Sequence, residues 1–367
     1  MHASLRLTLT LALFGALPAC GDDLAAPLVE LPAARARAVI VTGDFNATGV
    51  LSVIDATDGA VRQNAVAGAA GADPVIRKLG DELFVVNRFG PTGSNVTVLD
   101  ARSLAVTHQL STGTNSNPQD VAVAGDELFL PALETAGVVV LQRNGVRSLI
   151  DLSGLDPDGK PDCSSIYAVD DKLIIVCGLL ENFSVVRDAA VVLYDPKTKE
   201  VRTSALAARN PVGFLQATPA DSVFGGELLV ATADYADPTS QCVVRIDPRT
   251  GASRCALANA DLGGIASRLE VAAEQGVLFV TPTYYDGPAL RGALRPVDLS
   301  SGAIGASLSA PTQAISDLGA CPDGTLVTAD GTFGASGIRL YKDGVEQTTA
   351  AVAVGLPPAM QNGIVCY

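Results

Sequence analysis

The pentapeptide Gly80-Asp81-Glu82-Leu83-Phe84 returns unchanged as Gly125-Asp126-Glu127-Leu128-Phe129, 45 residues later. Looser copies follow at Asp170-Asp171-Lys172-Leu173-Ile174, Gly225-Gly226-Glu227-Leu228-Leu229, Gln275-Gly276-Val277-Leu278-Phe279 and Asp323-Gly324-Thr325-Leu326-Val327. Each is a polar turn pair feeding an apolar run, as a hairpin turn feeds a strand. A recurrence of roughly 45 to 55 residues built only from strands is the signature of a β-propeller.

A second marker lies about halfway through each repeat, where an apolar strand ends in a tight polar turn. Its copies are centred on Asp55, Asp100, Gln142, Asp195, Asp247, Asp298 and Lys342, which makes seven. Aspartate opens such a turn by accepting backbone N–H groups ahead of it, and glycine closes it at positive φ. These aspartates are therefore expected to hold turns rather than to catalyse. Each repeat then reads as strand a, the opening turn, strand b, a variable loop, strand c, the Asp turn and strand d. In the third repeat the four strands fall at about 120–124, 127–131, 137–142 and 145–150.

The first marker occurs six times and the second seven. The two chain ends account for the difference. Arg37-Ala38-Val39-Ile40-Val41 matches strand b of its neighbours, and Gln361-Asn362-Gly363-Ile364-Val365-Cys366-Tyr367 matches strand a. The last strand is expected to complete the first blade and close the ring. The pattern over about residues 37 to 367 resembles the seven-bladed propellers of the YVTN and NHL-like kind, on periodicity and turn placement rather than on a catalytic motif. The expected fold is all-β, a seven-bladed propeller of four-stranded antiparallel blades. A length of 367 residues would otherwise suggest two or three domains, but every repeat of a closed array shares one ring.

Residues 1–19 read as a secretion signal, with Arg6 ahead of an apolar run from Leu7 to Leu17 that is short for a membrane span. Leu17-Pro18-Ala19-Cys20 resembles the lipobox of bacterial lipoproteins, departing from it at Pro18. The resemblance implies cleavage before Cys20, diacylglycerol on its thiol and acylation of the new amino terminus. Several acyl chains on one residue anchor firmly where a single chain does not. Residues 20–36 then form a flexible tether. The expected location is the bacterial cell envelope, membrane-anchored, facing the periplasm or the outside. A net charge of −14, one unit more negative once Arg6 is removed, argues against nucleic acid, whose phosphates need a basic surface.

Setting Cys20 aside leaves six cysteines in an exported chain, which permit fifteen pairings. The blade pattern narrows them. Cys163 and Cys177 flank a hairpin in the fourth blade, and Cys242 and Cys255 flank the Asp247 turn in the fifth. Cys321 and Cys366 sit at matching places in strand a of the last and first blades. A bond there would pin the seam of the ring and contribute about 4–5 kcal/mol on loop-closure grounds. No C-x-x-C pair exists and only His108 remains after signal removal, so a zinc site is not expected.

No Gly-x-Ser-x-Gly, phosphate loop or dinucleotide fingerprint is present. Quinone-dependent propellers carry Trp in their repeats, and this chain has none. Streptogramin lyase-like propellers depend on a catalytic His, whereas His108 is expected on an outer strand. Carboxylate-rich propellers include calcium-dependent lactonases and hydrolases, whose ligands come from strand a starts and b–c loops at the channel mouth. Matching positions here are Asp120, Ser165, Arg268, Asp317 and Asn362, with Asn87, Arg88, Asn182, Asp234, Tyr235, Tyr284, Tyr285 and Asp286 from the loops. This ring is mixed in charge and is not an oxygen cage. The expectation is a monomeric, lipid-anchored binding or scaffold propeller for an envelope protein, a glycan or a small ligand. The alternative is a calcium-dependent hydrolase or lactonase at the channel mouth.

Overall fold

Each repeat folds as a small antiparallel sheet because its apolar runs alternate over a two-residue period between two faces that are both covered. The structure is a computed structural model that describes residues 36–358 and 362–367. The signal, Cys20 and nearly all of the tether lie outside the described residues. Seven four-stranded sheets form the blades of a β-propeller. Their inner strands, in blade order, are Ile364–Cys366, Pro74–Leu79, Ala122–Ala124, Cys163–Val169, Pro211–Ala217, Ile265–Ala272 and Ile315–Ala320.

The packing explains why both strand faces are apolar. In strand b of blade 2, Glu82–Asn87, Phe84 and Val86 face blade 3 while Leu83 and Val85 face blade 1. In Lys172–Cys177 of blade 4, Leu173 and Ile175 face blade 3, and Ile174 and Val176 face blade 5. Seven apolar clusters result among the described residues, one in each gap between adjacent blades. The core is thus a ring of seven shared layers, and no blade can bury its faces alone. Each fully buried Leu, Ile or Phe in such a layer contributes roughly 1.5–3 kcal/mol.

The turn phrases take up their positions for local reasons. Leu79 pairs with Glu82 across Gly80-Asp81, and Gly80 has φ of 58°, which suits glycine at the first position of a tight hairpin turn. Asp170 and Asp171 both adopt positive φ, a conformation that aspartate tolerates better than most residues. Glu82 reaches the next blade, where its carboxylate accepts both Nη1 and Nη2 of Arg143 at 2.8 and 2.6 Å. In the second marker, Asp298 accepts N–H groups from Ser300 and Ser301, and Asp247 those of Arg249 and Thr250. Hydrogen bonds from Ser300 and Ser301 hold the Asp298 carboxyl down at about 2.

The ring closes as the chain ends require. Strand Ile364–Cys366 pairs antiparallel with Arg37–Gly43, with Ala38 opposite Cys366 and Ile40 opposite Ile364. The three disulfides are Cys163–Cys177, Cys242–Cys255 and Cys321–Cys366, and the last bridges blades 7 and 1. Two details differ from the sequence expectation. In blade 3 the inner strand is Ala122–Ala124, because Asp120 turns its carboxylate onto the N–H of Val121 and leaves the ladder. In blade 6 the long strand Val277–Asp286 pairs with both Ala289–Gly292 and Arg295–Asp298, so strand c is split in two and a single bridge, Val297 to Ile304, stands in the place of strand d. His108 lies half-buried on Val106–Ser111, the outer strand of blade 2. No helix among the described residues is long and apolar enough to cross a membrane.

Candidate functional site

Inner strands of four blades carry an irregularity at the same place. The register slips between Cys163 and Ser165, Val212 and Gln216, Ala266 and Arg268, and Ile315 and Asp317. A bulge bends a strand and re-aims the extra residue. The residues left over in these slips include Ser164, Gly213, Ser267 and Ser316, all small, and all line one funnel-shaped cavity of about 1110 Å³. Gly213 has φ of 76°, and a Cβ there would come within 3.4 Å of the Ser267 carbonyl oxygen. Glycine suits the position because that backbone conformation strains a residue carrying a side chain.

The funnel is bounded by b–c loops and by the segments that enter the inner strands, on the face opposite the repeated turn phrases. Its wall includes Arg88, Asp162, Asn259, Tyr235, Tyr284 and Tyr285. Asn259, fully buried in the short helical turn Asn259–Leu262, donates to the carbonyls of Thr232 and Pro238. Ser267 donates to the Thr281 carbonyl. Arg88 is held by Asp73 and lies 3.4 Å from the Gln119 amide oxygen. Tyr235 and Tyr285 are 67% and 75% exposed and stand at the rim.

Below the funnel the channel is filled by a polar plug. Arg77 of blade 2 donates through Nη1 to both carboxylate oxygens of Asp120 at 2.6 Å and to the Ile166 carbonyl at 3.0 Å, and through Nη2 to that of Leu215 at 3.0 Å. Arg268 of blade 6 donates to the Asn362 side chain at 2.9 Å and to Glu270 at 2.6 Å, and lies 3.1 Å from Asp317. Both guanidinium groups lie against Phe214, at 4.7 and 5.9 Å from its ring centre. Such contacts strengthen when water is excluded. The acids also stitch blades together. Asp120 accepts the Ile166 N–H and the Ser165 hydroxyl, Ser165 in turn accepts the Leu215 N–H, and Asp317 accepts the Gly363 N–H. Burial pushes the Asp317 carboxyl up to about 6 despite Arg268 beside it.

The residues expected at a channel mouth therefore separate. Arg88, Tyr284 and Asn362 line the funnel. Asp120 and Asp317 lie beneath it, fully buried, with their oxygens committed to Arg77, Arg268 and neighbouring blades. Asn87 borders a separate cavity of about 490 Å³ and accepts the Gly71 N–H at 2.7 Å. Asp234 caps its own loop by accepting the N–H groups of Ala236 and Asp237. Asp286 is exposed, 3.9 Å from Arg291. Among the described residues no three His, Cys, Asp or Glu side chains gather as a metal cage.

Sequence reasoning passed over Asp162. It is 8% exposed, accepts the Leu180 N–H through Oδ2 at 2.8 Å, and lines the funnel. Burial, with Asp158, Asp156 and Glu134 nearby, pushes its carboxyl up to about 6. A signal was present: Asp73-Pro74, Asp162-Cys163 and Asn210-Pro211 put a polar residue just before an inner strand in three blades.

No protein-family model matches the chain, and no curated protein matches it by sequence. Among solved structures it is similar to apo AztD from Citrobacter koseri, at 12% identity and a TM-score of 0.55, over 91% of this chain and 98% of that one. It is also similar to a streptogramin B lyase, at 12% identity and 0.53, over 76% and 83%. A third similarity is to the extracellular domain of a hybrid two-component system from B. thetaiotaomicron, at 12% and 0.50, over 79% of this chain and 34% of that one. The chain thus spans about a third of the length of that last protein. At these identities the likeness establishes the propeller fold alone.

Proposed function

We propose that this protein is an envelope-held β-propeller whose funnel binds a small ligand. The observation that carries the reading is the funnel itself: about 1110 Å³, large enough to take up a small ligand, closed below by the Arg77–Phe214–Arg268 plug and lined by polar groups held in place by their own hydrogen bonds. Tyrosines at the rim suit a ligand with a flat or apolar body. The anchoring at Cys20 belongs to the same reading. Arg37, where the first strand begins, pairs with Asp55 of a c–d turn, on the face opposite the funnel. A tether leaving there would point the funnel away from the membrane that holds it.

A thermal-shift screen of small glycans, amines, carboxylates and calcium tests the binding reading, with wild type and Tyr284→Ala compared. A ligand class that stabilises the wild type and not the variant supports it. Equal stabilisation of both, or of neither, overturns it. Stabilisation by calcium alone would replace it with the metal-dependent hydrolase reading. Cys20→Ser is expected to release the protein from membranes, and retention would remove the lipid anchor from the proposal.

A further inference from the structure

The funnel wall holds one carboxylate that the protein does not pair. Asp162 spends Oδ2 on the Leu180 N–H, and among the described residues no donor reaches Oδ1 and no cation forms an ion pair with it. Lys160, close enough to sense its charge, directs its ammonium to Glu134 at 2.6 Å. Arg187 is turned to Asp156 at 2.5 Å. Arg88, the arginine on the funnel wall, is held by Asp73. A carboxylate that is nine-tenths buried and lacks a counter-ion is costly unless something supplies the missing charge.

The surroundings say what kind of charge fits. Asp156, Asp158 and Glu134 add negative potential at Asp162, so an anion is disfavoured there. A bare metal ion needs several converging oxygens, and no such cluster is present among the described residues. What the same funnel also offers is aromatic surface. Tyr235, Tyr284 and Tyr285 line it from the next two blades, and Tyr285 lies near enough to Tyr235 to act on it electrostatically. Phenol faces attract organic ammonium groups and pack the carbon attached to them.

We propose that the funnel binds an organic cation, an ammonium group on an apolar or aromatic body, with its charge at Asp162 and its body against the tyrosines of blades 5 and 6. This rests on the ligand-binding reading above and names the ligand class. It requires no chemical step.

Three probes of one shape separate charge from shape: 2-phenylethylamine, 2-phenylethanol and phenylacetate, titrated calorimetrically into the disulfide-intact protein near pH 7.5. The amine is expected to bind at least about tenfold more tightly than the alcohol, and the acid more weakly than either. Asp162→Asn is expected to abolish the preference of amine over alcohol while leaving alcohol binding in place. Asn suits this position because it tolerates the φ of 51° and its amide oxygen can still accept the Leu180 N–H. Tyr285→Ala, a change at an exposed side chain, is expected to weaken amine and alcohol together. Equal affinities for amine and alcohol, or an amine preference that survives Asp162→Asn, would overturn the inference while leaving the funnel a ligand site. Absence of binding by all three probes would overturn the inference as well. The screen with Tyr284→Ala then decides separately whether the funnel binds anything.

Discussion

Buried carboxylates tie the stability of this molecule to pH through their protonation, Asp317 and Asp162 among them. The carboxyls of Asp317 and Asp162 are raised to about 6, well above the usual aspartate range, chiefly by burial. The folded state therefore takes up these protons more readily than the unfolded chain. Between about pH 4 and pH 6 each contributes stability that is present at the low end and lost as pH rises. Asp317→Asn should flatten part of that slope, and urea midpoints measured from pH 4 to pH 7 read it directly; an unchanged slope would mean that Asp317 titrates normally. Asp120 makes a harsher case. Asp120→Ala would leave Arg77, whose side chain is only 11% exposed, buried without its partner, at a cost of about 3–5 kcal/mol. Asp120→Asn keeps an acceptor and should cost clearly less; equal losses in equilibrium denaturation would contradict this account.

At the scale of the element, the two markers do different work from the bulges. The Gly80-Asp81 and Asp298 turns are local: a few residues contain the glycine, the carboxylate and the N–H groups they need. They are legible in the sequence for that reason. The bulges at Ser164, Ser267 and Ser316 are not, because a register slip depends on how two distant strands align. The seam strand stands between these cases. Its partner is 324 or more residues away, yet the unmatched marker at one end and the unmatched strand at the other reveal it. The Cys321–Cys366 bond closes 45 residues, and its loss is expected to cost about 4 kcal/mol. In the Cys321→Ser, Cys366→Ser double variant, amide exchange should rise first at residues 37–43 and 364–366. Uniform acceleration around the ring would show that the seam is no weaker than the other junctions.

At the scale of the whole molecule, seven shared layers make the ring a single structure. Taking residues 362–367 away would strip Arg37–Gly43 of its inner partner, remove Asn362 from Arg268 and expose the layer between blades 7 and 1. Loss of the cooperative transition in calorimetry is expected, rather than a modest fall in Tm. A truncated chain that still melts in one sharp transition would mean that the open array is stable without closure. The closed ring also decides the site. Arg77 meets Asp120, Ile166 and Leu215 because four blades converge on one axis, and that convergence turns an open channel into a funnel with a floor.

The sequence by itself determined the number of blades, the order of strands, the closing strand and the cysteine partners. Each of these is written in periodicity and spacing, which a chain carries whether or not it is folded. Only the tertiary structure decided which polar residues serve a site. Asp120 and Asp317 resemble ligands in the sequence, yet they are spent on arginines from neighbouring blades. Asp162, one residue ahead of a cysteine, faces the funnel without a counter-ion. The reason is that a carboxylate's role depends on which charges lie within a few ångströms of it, and in a closed ring those charges come from blades far apart along the chain.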